Sequence, residues 1–403
     1  MVRLPEGGLA PVDGALPAGV LERLGGAPLG IYVHVPYCAS RCGYCDFNTY
    51  VPGEDGAVPV GYLDAVVREL DLAAEVLGEE ARPVDTVFVG GGTPTILPAE
   101  DLTAIVAAID QRFSLAPGAE ITTEANPESV DPAKLAALAT GGFTRISLGM
   151  QSAVPSVLAV LDREHTPGRP EAAVREAREA GFEQVSLDLI YGTPGESAQD
   201  WRASLDAALS AAPDHISTYS LIVEPGTRMA AQVRRGELVV PEEDVIVDRF
   251  ETAERVLAEA GMHWYETCSW AVDQDAYCRH NLGYWSGGNW WGIGPGAHSH
   301  VGGVRWWNVL NPRAWSERLA AGASPAAGRE LPDAESRRLE TVMLGLRLRS
   351  GVELAHLTTE GRAAAERQLE LGMLEPEDHA AGRAVLTLRG RLMADAVTVD
   401  LAG

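Results

Sequence analysis

Apolar and polar positions follow one repeating rhythm over most of the chain. Short apolar runs of strand length alternate with stretches of helical period from about residue 30 to 268. Residues 31–35 predict a buried strand. Leu63, Val66, Val67, Leu70, Ala74 and Leu77 then form one helical stripe. Residues 86–89 predict a second strand that runs straight into Gly90, Gly91 and Gly92. Helices near 98–112 and 131–140 alternate with strands at 119–124 and 144–149. Further strands are expected at 184–190, 214–221 and 262–267, each after a helical pattern. Strands alternating with helices imply right-handed crossovers and a parallel sheet buried on both faces. Seven such strands fit an α/β fold of open or closed barrel type, with its chemistry at the C-terminal strand ends.

Around 268 the rhythm stops. Eight of the nine Trp residues lie between Trp264 and Trp315. The pattern divides the chain into an N-terminal arm (1–28, rich in Gly, Pro and Ala), a barrel (29–268), a Trp-rich connecting segment (269–330) and a small, mainly helical C-terminal domain (331–403). In that last domain Leu339, Val342, Met343 and Leu346 make a helical stripe, and the helix content could mimic a winged helix.

Composition narrows the function classes. Over 403 residues, 57 Asp plus Glu against 32 Lys plus Arg give a net charge of −25, with 46% hydrophobic residues. That is a globular composition whose acidity opposes nucleic acid and allows at most peripheral contact with a membrane. Lys134 is the sole lysine, so neither a P-loop nor a Schiff-base lysine is on offer elsewhere. The start of the chain lacks the charged and apolar regions of a signal peptide, and no apolar run approaches the ~18 residues that span a bilayer. A soluble, reducing, cytoplasmic setting is the expectation.

Cys38, Cys42 and Cys45 fall within eight residues, directly after the first strand. Three thiolates on so short a loop can converge on one inorganic body but cannot complete a tetrahedral zinc site alone. A [4Fe–4S] cluster held by three cysteines leaves one iron open, which is a catalytic arrangement. A zinc loop closed by Cys278 or a His is the alternative; incidental core cysteines are disfavoured by the polar loop. The run Gly90–Gly91–Gly92 followed by Thr93 places bare backbone at a strand end, where a ligand can approach main-chain N–H groups. A dinucleotide-binding reading fails where a third glycine would be needed, at Thr95.

The string YVHVPYCASRCGYCDFN resembles the signature of radical S-adenosylmethionine enzymes. The relevant branch contains oxygen-independent coproporphyrinogen III oxidase and the HemW-type haem chaperones. The resemblance covers about 30–396 and implies a partial (β/α)6 TIM-like barrel. It implies a cluster on Cys38, Cys42 and Cys45 whose open iron chelates S-adenosylmethionine, electron transfer to which gives a 5′-deoxyadenosyl radical. It assigns Tyr32, Tyr44, Gly91, Gly92, Thr93, Glu124, Gln151, Arg163 and Asp188 to cofactor binding. Carboxylates and amides suit ribose hydroxyls, and Arg suits a carboxylate.

Residues 278–285 (CRHNLGYW) resemble the HNxxYW motif of HemW-type proteins, which makes His280 a candidate haem ligand. His298 and His300 are weaker candidates, His34 reads as a strand residue beside the cluster, and most of the Trp residues read as packing. The oxidase pattern has a fourth cysteine where Phe47 stands, and a longer N-terminal arm. Both departures point to haem binding and delivery within porphyrin metabolism, with propionate decarboxylation as the alternative. The expected partners are haem, acceptor haem proteins and a reductant for the cluster, with a homodimer left open.

Overall fold

The computed structural model describes residues 6–24, 27–52, 61–78 and 83–403. Six strands lie side by side in chain order, all parallel: β1 (Leu29–Val35), β2 (Val84–Gly91), β3 (Leu115–Ala125), β4 (Arg145–Gln151), β5 (Gln184–Tyr191) and β6 (His215–Ser220). The crossovers between them carry α1 (Tyr62–Leu77), α2 (Ala99–Phe113), α3 (Pro132–Thr140), α4 (Pro155–Val160), α5 (Arg169–Ala180) and α6 (Ala198–Ser210). The result is the expected partial (β/α)6 barrel. Apolar residues on both faces of β1 and β5 are buried, as a sheet covered on both sides requires.

The seventh parallel strand is not where the periodicity put it. After α7 (Arg228–Arg234) and α8 (Glu243–Glu259), β7 (His263–Glu266) and β8 (Ser269–Ala271) form an antiparallel pair on the far side of β6. The seventh parallel neighbour is β9 (Asn289–Ile293), which pairs with β1 at the opposite edge. It follows α9 (Arg279–Trp285) and leads into antiparallel β10 (His298–Val301), β11 (Val304–Asn308) and β12 (Ala326–Glu330), with α10 (Pro312–Ala320) between the last two. The segment expected to connect two domains therefore extends the barrel sheet to twelve strands.

A charge inside the α1 stripe anchors this extension. Glu69 is buried and accepts hydrogen bonds from Gly294 N, Asn308 Nδ2 and Trp315 Nε1. Burial pushes its carboxyl up to about 7 despite those three donors. Most of the Trp rings pack: Trp270 and Trp315 are fully buried, and Trp291, Trp306 and Trp307 nearly so. Within the arm, Gly8 pairs with Arg329 at the β12 edge and Val20 is buried, while residues 1–5 and 25–26 lie outside the described residues.

The C-terminal part is mainly helical, as expected. It contains α11 (Ala334–Gly345), α12 (Thr359–Glu370), α13 (Pro376–Ala380), α14 (Leu388–Leu392) and α15 (Ala394–Ala402), with a two-stranded ribbon of β13 (Val352–Glu353) and β14 (Arg383–Ala384). It has its own core around Val342, Leu346, Leu374 and Leu401. Arg391 of α14 fixes it to the barrel, stacking 4.1 Å over Trp264 and pairing with Glu254 at 2.8 Å. Among the described residues no helix is long and apolar enough to cross a membrane.

Candidate active site

A cavity of ≈ 1560 Å³ opens at the C-terminal end of the barrel strands. That exceeds the ~300–1,000 Å³ of an ordinary small-molecule pocket. Its wall includes all three clustered cysteines, and Tyr44, Gly91, Gly92, Thr93, Glu124, Gln151, Arg163 and Asp188 line it as well.

The cysteine loop leaves β1 and is pinned from several sides. Cys38 N donates to Tyr50 O at 3.0 Å, and Tyr50 N returns to Pro36 O at 2.7 Å. Gly43 N donates to Leu161 O, and Met229 N donates to Gly43 O, tying the loop to α4 and α7. Gly43 lets the Asp162 carboxylate come close: a Cβ there would stand 2.3 Å from Asp162 Oδ2 and force that side chain to turn. The Tyr44 ring packs with Val157, Leu161, Ile190 and Met229. Asn48 donates to Pro295 O and Leu310 O, so the extended part of the sheet also holds the loop.

The glycines after β2 work differently from the sequence expectation. Their amides are already engaged: Gly91 N donates to Glu124 Oε2, Gly92 N to Val35 O and Thr93 N to Tyr37 O. What the glycines supply is room. A Cβ on Gly92 would lie 2.9 Å from Cys38 Sγ, and Gly91 holds φ +112 against His34. A side chain at Gly92 would displace the start of the cysteine loop, and one at Gly91 would run into His34 and Val35 of β1.

Two carboxylates face each other across the opening. Burial raises Glu124 to about 7, with Asp188 adding to the rise, and raises Asp188 to about 6 although Ser147 donates to it. At the end of β4 the register shifts between Gly149 and Gln151, and Gln151 holds φ 64. A non-glycine residue in that region is strained, and such strain concentrates at functional sites. Asp162, with φ 52, is a second such residue on the cavity wall. Next to it, Arg163 extends back to the loop, placing Nη1 3.5 Å from Cys42 Sγ and Nη2 2.9 Å from Gly149 O. Its Nε is buried without a partner.

Two of the expected site residues lie elsewhere. Tyr32 sits beneath the cavity, its hydroxyl 2.9 Å from His34 Nδ1 and its ring 6.3 Å from Phe88. His280 is at the opposite, N-terminal end of the barrel. Its Nδ1 pairs with Thr86 Oγ1 at 2.8 Å and its Nε2 with Tyr284 OH at 2.8 Å, while the ring stacks on Phe88. Glu120 accepts from both Arg279 N and His280 N, closing the start of α9 over the barrel. Burial lowers the His280 ring to about 3. Both nitrogens of His280, the candidate haem ligand, have partners in this structure and the ring is 3% exposed. Cys278 is buried beside the same Glu120, so it cannot close a zinc loop with the distant cysteines. Among the described residues no three His, Cys, Asp or Glu side chains gather tightly enough for a single metal ion.

Sequence reasoning missed Ser147, Tyr219 and Arg228, all on the cavity wall. Ser147 could have been found, since it lies two residues before Gly149 and so on the same β4 face. Tyr219 ends the one barrel strand for which no site residue was sought.

The chain matches the Radical SAM superfamily over residues 32–208. It is 51% identical over 395 residues to the Heme chaperone HemW of Mycobacterium tuberculosis, covering 98% of this chain and 99% of that protein. It is 36% identical over 280 residues to the Heme chaperone HemW of Escherichia coli, covering 68% and 70%. A mitochondrial relative in Danio rerio, radical S-adenosyl methionine domain-containing protein 1, is 33% identical over 336 residues, with 81% and 74% covered. Among solved structures, coproporphyrinogen III oxidase (HemN) from Escherichia coli superposes with a TM-score of 0.80 at 20% identity, covering 97% of this chain and 94% of that one.

Proposed function

The chain belongs to the HemW-type family of radical S-adenosylmethionine proteins, and from that premise we propose that it is a cytoplasmic haem chaperone that binds haem and delivers it to acceptor haem proteins. Cys38, Cys42 and Cys45 hold a [4Fe–4S] cluster in this reading, and the open cavity beside them takes S-adenosylmethionine. The donor set fits: three thiols on one pinned loop, with polar side chains at successive strand ends opposite them. The cluster would supply single electrons to the bound cofactor.

The protein's own residues divide the remaining work. Arg163, with its unpartnered Nε, suits the cofactor carboxylate. Glu124 and Asp188 suit ribose hydroxyls, and each binds best once ionised. Gly92 and Gly149 keep the wall low enough for close approach; a Cβ on Gly149 would meet Arg163 Nη2 at 2.9 Å. Tyr44 braces the loop from behind.

The observation that carries the chaperone reading over the oxidase is Phe47. It occupies the place of the oxidase's fourth cysteine and stands 58% exposed at the cavity. The shared fold with HemN carries no activity by itself. In the test, anaerobically reconstituted protein is given haem or coproporphyrinogen III separately. The expected result is tight haem uptake and transfer to an apo-haem protein, with no protoporphyrinogen IX formed. Multiple-turnover decarboxylation with matching 5′-deoxyadenosine release would overturn the reading in favour of the oxidase.

A further inference from the structure

Two of the three clustered cysteine sulphurs each meet a side-chain donor of their own. Thr93 Oγ1 donates to Cys38 Sγ at 3.8 Å. Arg163 Nη1 donates to Cys42 Sγ at 3.5 Å. Beside Cys45, the hydroxyl of buried Thr49 donates to Phe47 O at 3.4 Å instead. One of the donors is a neutral hydroxyl and the other carries a full charge.

The charged donor is also the most firmly held. Arg163 cannot swing away freely, because Nη2 is bonded to Gly149 O at 2.9 Å. A Cβ on Gly149 would collide with that same nitrogen, so the backbone there is shaped around the guanidinium. The planar fork thus spans the end of β4 and the cysteine loop.

We propose that Arg163, with Thr93 as a weaker partner, sets the reduction potential of the cluster; this rests on the cluster reading above. The step concerned is a one-electron reduction in which no bond forms or breaks, the electron coming from an external reductant. Reduction adds negative charge that is spread over the sulphurs. Hydrogen bonds to sulphur favour the reduced state and raise the potential. A charge-assisted bond does so more than a neutral one, and more again away from bulk water. The arrangement therefore makes the cluster easier to reduce than three undonated thiolates would.

The test is a spectroelectrochemical titration of reconstituted protein without S-adenosylmethionine, using dithionite as the limiting reductant. Wild type is compared with Arg163→Met, Arg163→Lys and Thr93→Val, with iron content measured for each. At the wild-type midpoint, Arg163→Met is expected to lower the reduced-to-oxidised ratio about tenfold, which is 59 mV for a one-electron couple. Arg163→Lys should recover most of that fall, since it keeps the charge. Thr93→Val should move the ratio in the same direction by less. An Arg163→Met protein with wild-type iron content and an unshifted midpoint overturns the proposal. If Arg163→Met takes up no iron, Thr93→Val carries the test, and an unshifted midpoint there overturns it. Wild-type protein that binds no iron would instead defeat the cluster reading.

Discussion

At the N-terminal end of the barrel, His280, Thr86, Tyr284 and Glu120 close a set of hydrogen bonds in which both imidazole nitrogens have partners. At the C-terminal end, Arg163 Nε is buried without one, two carboxylates are held above their ordinary range, and Gln151 and Asp162 keep positive φ. Both ends are built from polar side chains on the barrel strands and the segments beside them. The plug has been satisfied internally, while the mouth retains strain and unmet bonding capacity that a bound group can use. Residue identity alone did not separate them: the HNxxYW segment, which resembles a ligand motif, packs over the barrel floor in this structure.

The comparison can be broken most forcefully at the plug. His280→Ala removes two buried hydrogen bonds and a stacked ring, leaving Thr86 and Tyr284 unpaired. Stability should fall by ~3 kcal/mol, read by chemical denaturation. The Soret band of haem-loaded protein should be unaltered. A moved band with unchanged stability would return His280 to the haem site.

The mouth should instead respond to pH. Glu124 and Asp188, like Glu69 on α1, have native carboxyls raised to about 7, 6 and 7 respectively. Between an unfolded carboxyl value of ~4 and these native values, the folded protein binds more protons than the unfolded one. Stability therefore falls as pH rises through that window, by ~1 kcal/mol or more per buried group. Thermal melts of the cofactor-free protein should give a lower Tm at pH 8 than at pH 5.5. Replacing Glu124 by Gln should flatten that slope, and an unchanged slope would show that its proton is not involved.

A smaller effect belongs to the strained backbone. Gln151→Gly should stabilise the protein by ~0.5–1 kcal/mol, because glycine accepts φ 64 without cost. Affinity for S-adenosylmethionine should drop in the same variant, measured by calorimetry. Lower stability together with full affinity would mean that the conformation serves packing.

Much of this was legible in the chain itself where the information is contiguous. The cysteine spacing and the glycine run each sit on one short segment, and six barrel strands follow from apolar runs of the right length. What was not legible is carried by distant partners. Glu69 lies beside an apolar helical stripe with nothing local to mark it, since its donors come from residues 294, 308 and 315. Strand β9 hides in a Trp-rich run because buried aromatics lack a clean period of two, so the seventh parallel strand was sought at 262–267. The roles of Gly91 and Gly92 inverted for a similar reason: their N–H groups were spoken for by Glu124 and Val35, which no local pattern reveals.

The central claim is that the mouth holds a cluster with an open iron for S-adenosylmethionine. Electron paramagnetic resonance of the anaerobically purified, dithionite-reduced protein tests it most directly. The account predicts about four irons per chain and a [4Fe–4S] signal that changes shape when S-adenosylmethionine is added. It also predicts that changing Cys38, Cys42 and Cys45 together to Ala removes iron and signal alike. Stoichiometric zinc, a triple variant that keeps its iron, or a cluster signal indifferent to S-adenosylmethionine would contradict it.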